Sequence, residues 1–360
     1  MTRVAWQGAA AVVAGVDTHR DTHTVAVIDM TGRWLADAVF RADRRGYAAL
    51  LAWVLGHGRL ERVGIEGTGS YGAGLARHLH REGVAMVEVD RPDRRARRRA
   101  GKSDPIDALA AARAALAGTA TGLPKARDGQ VEALRNLRIA RNGGVQARSD
   151  CMRQLKSLLV TAPDRMRAQL RHLGDRDLLA VCSRLRPDLT RAGDPEQAAK
   201  KALHTLAGRH ATLTAEITDL DTLIAPLVAT IKPALLEIHG VGPDVAGQIL
   251  VTAGDNPARI TTEPAFAMLC GVAPVPASSG LTHRHRLNRG GDRQANAAIH
   301  RVVITRLRWD PRTQAYMQRR TTEGLSKKEI IRCLKRLVAR ELYYVLTDTT
   351  KAQQQPDIAT

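Results

Sequence analysis

An apolar run, Val12-Val13-Ala14-Gly15-Val16, ends in a carboxylate, Asp17, and that junction constrains the fold more than any other feature of the chain. A segment so apolar belongs inside a sheet, and an ionised side chain at its end is costly unless it finds partners. Strand patterns recur at Thr24 to Asp29 and Trp34 to Phe40, followed by a helical pattern from about Arg45 to Leu55. A strand at Arg62 to Glu66, a helix at about Ala73 to Glu82, a strand at Val84 to Val89 and a helix from Asp104 to Leu116 complete the section. Three consecutive strands followed by alternating helices and strands predict a mixed sheet with helices on its faces. A ribonuclease-H-like order is the natural candidate.

Four carboxylates fall on these elements: Asp17 in the first strand, Glu66 at the end of the fourth, and Asp104 with Asp107 on one face of the following helix. Phosphodiester chemistry benefits from two metal ions about 4 Å apart, and hard ions such as Mg²⁺ take oxygen ligands. The pair on the helix has a simpler account, with Asp104 as N-cap, Pro105 as first helical residue and Asp107 as the acidic third. That account leaves Asp17 without a partner, so the set of four is read as a metal site. His19 and His23, in Thr18-His19-Arg20-Asp21-Thr22-His23, are read as turn residues rather than ligands.

The chain carries 55 Lys and Arg against 36 Asp and Glu, a net charge of +19 that suits a polyanionic partner. Aromatic residues make up 3 % of it, too few for recognition dominated by base stacking, so phosphate contacts must supply most of the binding. The segment Arg91 to Lys102 holds seven basic residues just before the Asp104 helix, and Arg94, Arg95, Arg97, Arg98, Arg99 and Lys102 are expected to contact nucleic acid. Cys151, Cys182, Cys270 and Cys333 stand too far apart for a CxxC zinc motif or a disulfide framework, which fits a reducing cytoplasm. No leader peptide and no membrane span is expected.

Gly118 to Gly129 has the composition of a linker and closes the first section. Leu203, Leu206, His210, Leu213, Ile217, Leu220, Ile224 and Leu227 then recur at steps of three and four, the seam of a coiled coil. Val145, Arg148, Met152, Leu155 and Leu159 carry the same rhythm less cleanly. Such a seam serves either a hairpin within one subunit or an oligomerisation arm, and the arm is preferred. From Leu235 to Leu250 an apolar helix, the turn Gly240-Val241-Gly242-Pro243 and a second helix start resemble a helix-hairpin-helix, whose glycines Gly240 and Gly242 bring backbone to a phosphate. Further helices are expected near Ala265 to Cys270, Asp292 to Trp309, Pro311 to Arg320 and Lys327 to Leu346, the last opened by the capping pair Ser326 and Glu329.

Two further motifs carry chemistry. Gly67, Gly69 and Gly72 spell G-x-G-x-x-G, with Glu88 and Asp90 where a ribose-binding acid would sit, so a dinucleotide enzyme is an alternative. Against it, the glycines follow the fourth strand and Glu66 would face a pyrophosphate with like charge. Ala277-Ser278-Ser279-Gly280 precedes a segment containing Arg284, Arg286, Arg289 and Arg293, which can hold a phosphate bidentately. A serine there is most often only part of a turn, but in such surroundings it is also a possible nucleophile.

Taken together, Val13-Ala14-Gly15-Val16-Asp17-Thr18-His19, the Ile65-to-Gly72 strand and turn, Lys102-Ser103-Asp104-Pro105-Ile106-Asp107, the coiled coil, Leu235 to Pro243, Gly271 to Gly280 and Asn288 to Asn296 resemble the IS-one-ten family of DEDD insertion-sequence transposases. The resemblance spans roughly Val13 to Leu346. It implies that Asp17, Glu66, Asp104 and Asp107 bind Mg²⁺ or Mn²⁺ in a RuvC-like domain, 1–117, followed by a linker and coiled-coil arm, 118–231. A helical C-terminal transposase domain, 232–348, and a disordered tail, 349–360, complete it. Ser279 is implied as the nucleophile that forms a phosphoserine link to DNA, although Ser278 adjoins it. Donor and target DNA, a structured guide RNA and a homo-oligomer, a tetramer built of dimers, are the implied partners, in a cytoplasmic, nucleoid-associated protein. The alternatives are a metal-dependent junction nuclease without covalent intermediate and a non-enzymatic basic scaffold.

Overall fold

The computed structural model describes residues 10–89, 103–278 and 285–348. Five strands form one mixed sheet: β1 (Ala11–Thr18), β2 (Thr22–Asp29), β3 (Trp34–Arg41), β4 (Arg59–Glu66) and β5 (Met86–Val89), in the order β3-β2-β1-β4-β5. The first three pair antiparallel through tight connections, whereas β4 lies parallel to β1 and β5 parallel to β4. Parallel pairing requires crossovers, and the helices α1 (Arg44–Leu55) and α2 (Ala73–Arg81) lie in those connections. This mixed α/β arrangement fits the ribonuclease-H-like expectation.

Strand alternation divides the core into two layers. Val12, Ala14 and Val16 join Val25, Val27, Val63 and Ile65 beneath Leu50 and Val54 of α1 and Leu75 and Leu79 of α2. On the opposite face Val13 and Ile28 pack against Ala112 and Ala115 of α3 (Asp104–Leu116). Paired Gly15 and Gly64 lie beneath α3, and a methyl group added at Gly64 would sit 2.5 Å from the carbonyl oxygen of Ala111. Gly15 is tighter still, since an added carbon would overlap the backbone of Ala108 and Ala112. Bare backbone here, against the alanine face of α3, lets the helix lie directly on the sheet.

The chain forms two compact units, one comprising Met1–Glu132, Leu250–Ala297 and Arg319–Thr360, the other Ala133–Ile249 and Ala298–Gln318. Within the first, the segment expected to be a loose linker is strapped down. Ala126 N donates to Asn256 Oδ1 at 3.1 Å, Val131 N to Asp255 Oδ1 at 2.8 Å, and Lys125 Nζ to the Val251 carbonyl at 2.7 Å. Burial pushes the Lys125 ammonium down to about 8. Glycine and proline content marked the segment as irregular, but its hydrogen-bond partners lie far along the chain and are invisible locally. In the same unit the last described helix, Lys327–Leu346, begins with the expected capping box of Ser326 and Glu329.

The second unit contains most of the α4 helix (Gln130–Val160), then α5 (Asp164–Leu170), α6 (Asp175–Cys182) and α7 (Pro195–Ile231). All eight residues of the predicted α7 seam are buried or half-buried. They face α4 of the same chain at several levels: Arg141 Nε pairs with Asp221 Oδ1 at 2.5 Å, Gly144 abuts Ile217, and Leu155 and Leu159 share a core with Ala199 and Leu203. The two helices therefore run antiparallel as a hairpin within one chain.

The helix expected to open at Leu235 does not form. Pro233 follows α7 closely, and the residue before a proline is driven from helical geometry; Lys232 has φ −155° and ψ 78°. A single 3₁₀ turn, Pro233–Leu235, replaces the helix. Gly240 does adopt the left-handed backbone, φ +81°, ahead of α8 (Pro243–Ala253). None of the described helices is long and apolar enough to cross a membrane.

Candidate active site

The close seating of α3 sets the site. One helical turn rises about 5.4 Å and two strand residues span about 6.6 Å. Going one turn back from Ala108 along α3 therefore advances about as far as going from Gly15 to Asp17. Asp17 and Glu66, at the ends of neighbouring parallel strands, share the α3 face of the sheet with Gly15 and Gly64. Asp104 and Asp107 lie in the first turn of α3.

His19, just beyond β1, joins this group. Its Nε2 lies 3.2 Å from Asp17 Oδ2 and 3.2 Å from Asp104 Oδ1. The three ligand atoms of Asp17, His19 and Asp104 fall within 4.8 Å of one another. Asp17 and Asp107 are buried, and burial is the chief cause that pushes the Asp17 carboxyl above its ordinary range. The charge of His19 works against that shift, while Asp104 and Asp107 reinforce it. Ser103, rather than Asp104, occupies the N-cap position, so the Asp104 carboxylate is not used in capping the helix.

Of the two histidines expected in the turn, only His23 is misplaced. His19 does lie in the connection, but its ring reaches the carboxylates. His23 lies within β2, fully buried on the opposite layer, and stacks on Tyr47 with ring centroids 5.5 Å apart. Its position two residues after Asp17 was the available signal for His19, because such residues tend to project to one side of an extended chain.

The glycine turn after β4 closes the end of the sheet. Thr18 Oγ1 donates to the Glu66 carbonyl at 2.8 Å, tying the ends of β1 and β4 together. Gly67 has φ +72°, and an added carbon would sit 2.9 Å from that hydroxyl. Glu88, the acid a dinucleotide site would place on a ribose, instead accepts a hydrogen bond from the Thr68 hydroxyl. The G-x-G-x-x-G pattern thus supports the carboxylate-bearing strand ends.

The serine loop has a well-defined base in the first unit. A short ribbon, β6 (Val275–Pro276) with β7 (His285–Arg286), brackets it, with α9 (Glu263–Leu269) before and α10 (Arg293–Trp309) after. Asn296 Nδ2 donates to the Gly271 carbonyl at 2.7 Å and Asn288 Nδ2 to the Met268 carbonyl at 3.0 Å. Asp292 caps α10 through Gln294 N at 2.8 Å and accepts from Thr252 Oγ1 at 2.8 Å. Gly291 packs directly on the Gly271 backbone. The segment Asn288 to Asn296 therefore clamps both ends of the loop, a role its composition did not reveal. Ser278 is exposed, as are Arg286, Arg289 and Arg293. Ser279 and Arg284, together with Arg94, Arg95, Arg97, Arg98, Arg99 and Lys102, lie outside the described residues.

In the second unit, Gly242 immediately precedes α8, and a carbon added there would meet nothing within 4 Å. The first turn of α8 nevertheless carries Asp244, which accepts from Arg138 Nη1 at 3.0 Å, Arg141 Nη1 at 3.3 Å and Arg301 Nη2 at 3.0 Å.

Comparison with known proteins agrees with this architecture. A transposase family model of the DEDD IS110 type matches residues 14–162, and a model described as transposase IS116/IS110/IS902 family matches residues 232–318. A Streptomyces coelicolor protein that bears the name of mini-circle transposase for IS117 is 26 % identical over 89 % of this chain and 90 % of its own length. An insertion element IS110 protein of the same organism is 31 % identical over 33 % of this chain and 30 % of its own. An insertion element IS900 protein of Mycobacterium paratuberculosis is 27 % identical over 42 % of this chain and 39 % of its own. With both family models matched in chain order and the carboxylates gathered at the strand ends, the chain belongs to the IS110 (IS-one-ten) family and is a DNA transposase.

Proposed function

We propose that this transposase is an RNA-guided recombinase in which Ser279 attacks a DNA phosphodiester beside divalent metal held by the carboxylate set. The observation that carries the metal-dependent part of the reading is the convergence of Asp17 and Asp104 on one imidazole nitrogen, 3.2 Å from each, at the end of a ribonuclease-H-like sheet. The roles of Ser279 and of a guide RNA rest on the family resemblance. The donor set fits a metal: two carboxylates and a nitrogen with mutually close ligand atoms, one of the carboxyls buried enough to resist ionising without a counter-charge. Asp17, Asp104 and His19 would hold the ion, Mg²⁺ or Mn²⁺, with Glu66 and Asp107 on the same face. When bound, it supplies positive charge that offsets the negative charge developing on the phosphate. The DEDD family match speaks for divalent metal as well.

In this reading Ser279 Oγ forms a bond to phosphorus as the DNA phosphorus–oxygen bond breaks, and the serine proton ends on the departing DNA oxygen. One phosphate ester replaces another, so no ATP is consumed. Attack by a second DNA hydroxyl on the phosphoserine rejoins the strands and returns a proton to Ser279. Arg284, Arg286, Arg289 and Arg293 would grip the phosphate through paired N–H donors. The family resemblance supports the remaining parts: a RuvC-like domain 1–117, an arm 118–231 within a tetramer, a transposase domain 232–348, and a guide RNA that selects donor and target DNA in the cytoplasm.

A denaturing gel tests the chemistry: protein, labelled DNA carrying the element end, the adjacent transcribed RNA and Mg²⁺, beside Ser279→Ala, Ser278→Ala and Asp17→Ala. A labelled protein–DNA adduct that requires Ser279 and Asp17 is expected. Cut DNA without any adduct would replace the covalent mechanism with metal-dependent hydrolysis.

A further inference from the structure

We propose that the helical hairpin of the second unit carries a phosphate-binding basin for a nucleic-acid backbone, separate from the carboxylate and serine sites. The basin, about 380 Å³, opens between α4, α6 and α7 and is lined by Arg148, Met152, Asp175, Arg176, Leu179 and His210. That volume is many times the roughly 30 Å³ share of one water, so it admits a phosphate with adjoining sugar.

Its charge is what selects the ligand. Neither Arg148 nor Arg176 pairs with a carboxylate among the described residues, although ion pairs occupy many arginines of this unit. The one acid in the basin, Asp175, is already engaged by Lys156 Nζ at 2.6 Å. The Ser149 hydroxyl on the rim donates to the Val145 carbonyl at 2.9 Å and so has no proton left for an anion. The binding groups are therefore the two guanidinium forks, whose planar donors match phosphate oxygens. Burial, and then the charge of Arg148, hold the His210 imidazole below its ordinary range, which leaves it a neutral wall with one N–H to offer. Met152 and Leu179 give an apolar floor on which a sugar can rest. Two unpaired arginines over such a floor suit a phosphodiester better than a carboxylate peptide, which would need further backbone donors.

The test uses the full-length protein, one duplex DNA and one folded RNA of similar length, and affinities measured across a salt series for wild type and Arg148→Ala/Arg176→Ala. Each lost phosphate contact reduces the slope of log affinity against log salt by about 1. The slope for the nucleic acid that occupies the basin should therefore fall by about 2, with the other unchanged, and that contrast identifies DNA or RNA as the occupant. Unchanged slopes for both would overturn the proposal, as would a changed oligomeric state with unchanged slopes. Arg148→Lys/Arg176→Lys guards against misfolding: it keeps the charge and slope but removes bidentate geometry, so severalfold weaker binding is expected, and equal affinity counts against the basin. Neither result depends on Ser279, so failure here is distinct from failure of the recombination chemistry.

Discussion

Replacing Gly15 with alanine should damage the carboxylate site from beneath it. A methyl group there would lie 2.7 Å from Ala112 Cα and nearer still to the backbone nitrogen of Ala112 and the carbonyl of Ala108. Carbon atoms settle at about 3.5 to 4.0 Å, and helix backbone has no rotamer by which to yield. The α3 helix must therefore lift by about 1 Å, and overpacking of this kind costs about 1–3 kcal/mol. The lift moves Asp104 and Asp107 away from Asp17 and Glu66, and a misplacement of about 1 Å is enough to cost roughly 100-fold in rate. Denaturant unfolding would measure the first effect and strand cleavage by the still-folded fraction the second. Gly143→Ala in α4 is the control, since nothing lies within 4 Å of the added carbon and the helix should gain up to about 1 kcal/mol with cleavage unaffected. Wild-type stability together with wild-type cleavage in Gly15→Ala would refute the reasoning.

Three other outcomes follow from the geometry. His23 is held below the ordinary histidine range chiefly by burial. With the folded value depressed, the stability of the neutral form is complete above about pH 6.5 and is lost as pH falls through the folded value. Wild type should therefore weaken on acidification, and His23→Phe, which keeps the stack on Tyr47, should show a shallower decline in unfolding free energy from pH 7 to 5; parallel curves would contradict this. Asn296→Ala removes the donor to the Gly271 carbonyl and should cost about 1–3 kcal/mol, with serine adduct lost more than DNA binding. Equal adduct yield would show that the loop does not need its clamp. His19→Ala should weaken Mn²⁺ binding, measured calorimetrically, by about tenfold or more, whereas unchanged affinity would limit His19 to orienting the free carboxylates.

Much of this molecule is local in origin and could be read before the structure. Apolar runs and strand-forming residues placed β1, β2 and β3 within two residues, because β1 and β2 are buried on both faces of the sheet. The β4 start was missed by three residues, since Arg59 and Glu61 hide the pattern of a strand whose buried half begins at Val63. The Leu203 to Leu227 seam announced its helix, and Ser326 with Glu329 announced the start of another. The four carboxylates stood out by residue type and by the burial cost that Asp17 would incur alone.

Tertiary structure decided what these features meet. The sequence by itself determined the strands, the long helices, the acidic set and the basic excess, because propensity, periodicity and net charge act over a few residues or over none at all. Only the fold brought His19 between Asp17 and Asp104, turned the α7 seam toward α4, strapped 124–131 onto Asp255 and Asn256, and made Asn288 to Asn296 a clamp on the serine loop. These contacts join residues far apart in the chain, and their partners are chosen by strand order and by how closely α3 can approach Gly15 and Gly64. No local pattern encodes that choice, since it depends on closing long loops within each unit.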